Sequence, residues 1–215
     1  MTETAANVRT AEVAAYLAAR MCHDFISPAS AIASGLDLLE DPSAQDMREE
    51  AMGLIVSSSK KLADLLSFSR VAFGASASAE TFDVRELEKL TAGVFGHMRA
   101  ELAWAVDVAA VNKPAARTLL NLAQMAGAAL PTGGTAKVQA VQEGASVAVA
   151  VEATGPRARL RPEVLAGLQG QPLGEGLHGH WVQAYYTHLF VGDAGGRVFA
   201  DVQEERVVFA ATLPA

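Results

Sequence analysis

Charge is scarce in this chain, cysteine scarcer still, and basic residues are outnumbered. Only 19% of the 215 residues are Asp, Glu, Lys or Arg, too few for a chain held open by its own charge. Cys22 is the single cysteine, which excludes an intramolecular disulfide framework and fits a reducing, cytoplasmic setting. Lys and Arg number 17 against 24 Asp and Glu, a net charge of −7. That balance argues against a nucleic-acid partner, whose phosphates call for facing cations. The start of the chain shows no basic segment followed by an apolar run, so no signal peptide is expected. The longest uncharged stretch, Thr118 to Ala136, is broken by Asn121, Gln124, Pro131, Gly133 and Gly134, so no membrane partner is expected either.

What remains is abundant aliphatic material. Hydrophobic types make up 51% of the residues, and with a prior of roughly one domain per 150 residues the length leaves room for one large domain or two small ones. The N-terminal third reads as two long helices. From about Val8 to Glu40 only Gly35 and Pro28 interrupt a run rich in Ala, Leu and Met. Asp41-Pro42-Ser43 breaks that pattern, and Ser43 with Asp46 suggests a cap for a second helix from about Ala44 to Phe73, ending at Gly74. So short a break predicts an antiparallel hairpin, with Ala75 to Ala79 as a small-residue linker.

Beyond the linker the period changes. Asp83 with Glu86 predicts a capped helix, Ala103 to Val111 a short strand, and Pro114 the first turn of another helix. Ala136–Gln142 and Ser146–Ala153 read as strands about Glu143-Gly144, Pro162–Leu168 and roughly Gly176–Phe190 as helices, and Arg197–Gln203 with Arg206–Leu213 as a closing hairpin. The expected fold is α+β: a helical hairpin over residues 1–75 and an α/β sandwich over 80–215, with helices on one sheet face.

Helical arithmetic singles out one histidine. With Val13 at 0° and about 100° per residue, Leu17, Met21, Phe25, Pro28, Ile32, Leu36 and Leu39 fall between roughly 0° and 140°. His23 falls near 280°, among Tyr16, Arg20, Ser27, Ser30 and Ser34 at roughly 260° to 340°. His23 is therefore expected to face solvent. The second helix repeats an apolar stripe through Met47, Leu54, Ile55, Leu62, Leu65, Leu66 and Phe73. A two-helix hairpin cannot close a core alone, so the stripes predict either a homodimeric four-helix bundle or packing on the chain's own second half. Pro28 removes the amide that would bond the Asp24 carbonyl, placing a defect one turn after an exposed His-Asp pair. Cys22 and His23 diverge by about 100° and make a poor metal pair. Asp193 is assigned to turn chemistry, and Trp104 and Trp181 to packing.

The segment Met21-Cys22-His23-Asp24-Phe25-Ile26-Ser27-Pro28-Ala29-Ser30-Ala31-Ile32 resembles the phosphoacceptor box of two-component histidine kinases, and the second half resembles their ATP-binding domain in worn form. Leu119 to Ala126 looks like the asparagine box with Met125 in place of the magnesium-holding Asn. Val149 to Arg157 looks like the first glycine box, with Ala153 for the adenine-reading Asp and Arg157 for the second Gly; Gly176 to His180 is similar to the second. Gly195-Gly196-Arg197-Val198 and Phe209 to Pro214 match the family's last hairpin.

A kinase-shaped chain lacking those anchors is similar to the ChpT-type histidine phosphotransferases. The resemblance implies that neutral His23 takes a phosphoryl group from the receiver aspartate of a hybrid kinase and passes it to response-regulator receivers in cell-cycle control. It implies no cofactor of the chain's own, loss of ATP binding, and Mg²⁺ supplied by the receiver. Asp24 either orients the imidazole or is a solvated charge; Arg20, Ser27 and Ser30 are expected at the receiver contact. An ATP-dependent kinase core and a non-catalytic adaptor that docks receivers or kinases are the alternatives.

Overall fold

A computed structural model describes residues 2–74, 80–171 and 179–215. The expected linker at 75–79 and the Gly176 to His178 part of the second glycine box lie outside the described residues. Helix α1 (Thr2–Glu40) and helix α2 (Arg48–Ala72) form the antiparallel hairpin. Their close approach is set at Gly35, where a Cβ would stand 2.6 Å from the Ile55 side chain and 3.1 Å from the Ala51 carbonyl. Only a glycine lets the two backbones pass there.

The turn between them differs from expectation. Ser43 does not cap the second helix. Its hydroxyl donates to Asp41 Oδ1 at 2.7 Å and its amide to the same oxygen at 2.8 Å, closing a local turn. These bonds hold the Asp41 carboxyl below its ordinary value, the hydroxyl bond most of all. A 3₁₀ turn at Gln45–Met47 then leads into α2 without a side-chain cap.

The second half begins with strand β1 (Thr81–Asp83) and helix α3 (Val84–Phe95), whose N-cap Asp83 accepts from the Arg85 amide at 2.7 Å as its sequence position predicts. The single strand expected over Ala103 to Val111 is two. Strand β2 (Ala100–Trp104) and strand β3 (Ala110–Asn112) belong to different sheets: β3 pairs antiparallel with β1, and β2 runs parallel to strand β4 (Gly134–Glu143). Helix α4 (Lys113–Ala128) follows with Asn112 as N-cap and Pro114 in its first turn. Strand β5 (Ser146–Thr154), helices α5 (Pro162–Leu168) and α6 (His180–Asp193), and strands β6 (Arg197–Gln203) and β7 (Arg206–Pro214) complete the chain.

The main sheet has the order β2-β4-β5-β7-β6, antiparallel except for β2 beside β4. Alternation sends Val138, Val149, Val151, Phe209 and Leu213 to one face, where they meet α4. Helix α4 is buried nearly all round because the sheet covers one side and the hairpin the other. Phe68 and Ala72 of α2 share its core, while Val13 and Leu17 of α1 pack on Trp181 and Val182 of α6. Among the described residues no helix is long and apolar enough to cross a membrane.

Candidate functional site

His23 lies near the middle of α1 with 86% of its side chain exposed, where the helical angles place it. Ser27 and Ser30 are exposed, and Pro28 is buried. The ring is not isolated. Asp24 Oδ1 stands 3.5 Å from His23 Nδ1, beyond hydrogen-bond length yet within ionic contact. The other carboxylate oxygen, Oδ2, faces Arg20 Nε at 3.6 Å. The imidazole therefore turns Nδ1 toward a carboxylate and leaves Nε2 on the far side of the ring.

Arg20 is placed differently from its expected surface position. Its side chain is only 12% exposed, covered where α6 crosses this stretch of α1, and its Nη1 donates to the Gly179 carbonyl at 3.4 Å. Burial draws the guanidinium below its ordinary value, and Asp24 opposes that shift. The helical angle put Arg20 beside His23 correctly; what it did not carry was α6, which covers that face only toward the N-terminal half of α1. Arg20 is thus a contact within the chain and not an open surface.

A second group of polar residues joins the hairpin to α4. Asn121 is fully buried: its Nδ2 donates to the Ala72 carbonyl at 3.1 Å and the Arg117 carbonyl at 2.9 Å, and its Oδ1 accepts from Gln183 Nε2 at 3.0 Å. Gln183 also donates to Gln124 Oε1 at 2.7 Å. Arg117 donates to the Phe73 carbonyl at 3.2 Å and to the Tyr186 hydroxyl, with its guanidinium over the Tyr186 and Phe190 rings. Burial pushes the Tyr186 phenol up, against the pull of Arg117. Further along α2, Asp64 Oδ2 lies 2.9 Å from His97 Nε2. The last carbonyls of α2 are therefore satisfied by α4, a pairing that helix dipoles favour for the cationic Arg117. No local pattern announces these contacts; the asparagine was legible only as part of a worn box.

Two positions of the worn boxes are apolar among the described residues. Met125 and Ala153, at the places of the metal-holding and adenine-reading residues, are both buried. Arg157 keeps a left-handed backbone, φ 63°, at the place of a glycine. A cavity of about 90 Å³ remains between α4, α5 and α6, lined by Met125, Arg159, Arg161, Val164 and Gln183 among others. Pockets for ligands of nucleotide size run to roughly 300 Å³ or more, and the lining of this one holds two arginines and one amide but no carboxylate.

Residues 84–206 match the family described as the histidine phosphotransferase C-terminal domain. Protein phosphotransferase ChpT of Brucella abortus (strain 2308) is 32% identical over 201 residues, covering 93% of this chain and 95% of that protein. Among solved structures, a bacterial phosphotransferase superposes with a TM-score of 0.83 at 31% identity, covering 93% of this chain and 95% of its own. Full-length ShkA, solved in complex with AMPPNP, is similar in fold, with a TM-score of 0.50 and 19% identity over 92% of this chain and 45% of its own.

Proposed function

The chain belongs to the histidine phosphotransferase family of two-component signalling, and on that premise we propose that His23 is its phosphoacceptor. The observation that carries this reading is an imidazole standing 86% exposed in mid-helix with a carboxylate at its Nδ1. Neutral His23 attacks the phosphorus of a receiver's aspartyl phosphate through Nε2. The N–P bond forms as the acyl O–P bond breaks, and the electron pair leaves with the receiver's carboxylate. The ring becomes an imidazolium whose charge faces Asp24. The reverse step hands the phosphoryl group to the receiver of a response regulator. Ser27 and Ser30 are small and leave room for that partner to approach.

The receivers bring Mg²⁺, so the chain binds no metal or nucleotide of its own and does not label itself from ATP. Buried Met125 and Ala153 and the small cavity beside α4 support this part of the reading. By resemblance to ChpT-type proteins, the donor is the receiver of a hybrid kinase and the acceptors are response regulators of cell-cycle control, in the cytoplasm.

The acting form is a homodimer. On α1 the exposed residues Cys22, Ile26, Ala29, Ala33 and Leu36 follow one helical line, and on α2 so do Met52, Val56, Ser59, Ala63 and Leu66. Ile26 and Val56 are each 63% exposed, a cost that a second hairpin removes by closing a four-helix bundle.

The test mixes the protein with a radiolabelled phospho-receiver of a hybrid histidine kinase. Acid-labile, base-stable label is expected on the wild type and none on His23→Ala. Label from ATP alone, or unchanged labelling of the Ala variant, overturns the proposal.

A further inference from the structure

Three groups stand in file from the second half of the chain to the exposed ring. The Gly179 carbonyl accepts from Arg20, Arg20 faces one oxygen of Asp24, and the other oxygen of Asp24 faces His23 Nδ1. The separations are 3.4, 3.6 and 3.5 Å. A carboxylate on an exposed helix face ordinarily samples several rotamers in water. Asp24 is held instead between two partners, one of them a guanidinium that is itself fixed by a carbonyl of another element. Arg20 gains that fixity from burial: its side chain is 12% exposed, and its neighbours on α1, Tyr16, Leu17 and Met21, pack with Trp181 and Val182 of α6.

We infer that Arg20 is a positioning residue for phosphoryl transfer, aiming Asp24 at His23 Nδ1 and taking its own place from the Gly179 carbonyl of the C-terminal half. This rests on the reading of His23 as the phosphoacceptor and assigns Arg20 a different part from that of a receiver contact. Chemically, the negative charge of an Asp24 carboxylate kept beside Nδ1 favours the proton on that nitrogen, so the lone pair remains on Nε2, and it faces the cation that forms when Nε2 is phosphorylated. No proton need leave during the step. The C-terminal half, without nucleotide chemistry, thereby contributes to the reaction through one carbonyl oxygen.

The test uses the full chain and phosphoramidate, a small donor that phosphorylates imidazole without a receiver. Rates are measured for the wild type, Arg20→Met, Arg20→Lys, Asp24→Asn and the Arg20→Met/Asp24→Asn double variant, and the His23 tautomer ratio is read from long-range imidazole NMR spectra. Arg20→Met is expected to slow labelling by about 10-fold to 100-fold and to shift the ring from the Nδ1–H toward the Nε2–H tautomer. Arg20→Lys should recover most of the rate. The double variant should be no slower than Asp24→Asn alone, because Arg20 acts only through that carboxylate. Additive losses, or a wild-type rate and tautomer in Arg20→Met, overturn the inference. Should Arg20→Met fail to fold, the tautomer ratio in Arg20→Lys decides: a ratio nearer the wild type than that of Asp24→Asn supports the inference, and one equal to Asp24→Asn overturns it. His23→Gln labelling as fast as the wild type overturns instead the reading on which it rests, so the two failures are distinct.

Discussion

Replacing Asn121 by Ala tests whether the asparagine box has become a structural clasp. The side chain is fully buried, donates to the carbonyls of Ala72 and Arg117, and accepts from Gln183. Three hydrogen bonds at a net value of roughly 1 kcal/mol each, with a buried carbonyl left short of a donor, put the loss at about 2–4 kcal/mol. Gln183 keeps Gln124 as an acceptor, which sets the lower end of that range. Urea unfolding read by circular dichroism measures it by linear extrapolation, and the thermal midpoint should fall by roughly 5–15 °C. Asn121→Asp has nearly the same volume but turns an acceptor toward two carbonyl oxygens, so it should be at least as damaging at neutral pH. A buried carboxyl there has a raised folded value, so its deficit grows as pH rises through that value and eases in acid, where one O–H donor returns. A loss under about 0.5 kcal/mol for Asn121→Ala refutes the reasoning. That result would return the residue to a role toward a ligand, which leaves the free protein's stability untouched.

Two further outcomes follow from backbone and charge. Arg157→Gly should raise stability by about 0.5–1 kcal/mol in urea, because φ 63° strains any residue with a Cβ; a loss would show that the arginine side chain earns its place by contact. Glu152 is held below the ordinary carboxylate range chiefly by its hydrogen bonds from Arg206, one of them 3.0 Å from Nε. Its contribution is complete above the ordinary glutamate value near 4.3 and is lost as pH falls through the depressed one. Glu152→Gln should therefore unfold more readily than the wild type at pH 6 and indistinguishably well below pH 4, in thermal scans across that range.

Much of this architecture could be read locally. The hairpin, the Asp83 cap, the Pro114 helix start and the strands meeting at Gly144 and Glu205 follow from period, capping and turn residues that act over a few positions. The stretch from Ala100 to Asn112 resisted for the opposite reason. Strand β2 exists by parallel pairing with β4, more than thirty positions on, and β3 by pairing with β1, so a local pattern sees one vague apolar segment where the fold has two sheets. At the site the same division holds. The exposure of His23 was a matter of angle on one helix. The cover over Arg20 comes from Gly179 and α6, more than 150 positions away, and the anchorage of Asn121 from Ala72 and Gln183. Long-range polar pairing leaves little trace in the order of residues.

The shared core has a practical corollary for anyone dissecting this protein. Phe68 and Ala72 are wholly enclosed in the core around α4, and Val13 and Leu17 are buried against α6. Severing the chain between its halves would expose aromatic and aliphatic surface on each fragment and take one acceptor each from the Asn121 amide and the Arg117 guanidinium, the carbonyls of Ala72 and Phe73. The phosphoacceptor segment is therefore no portable peptide, and a fragment carrying it alone should aggregate before it reacts.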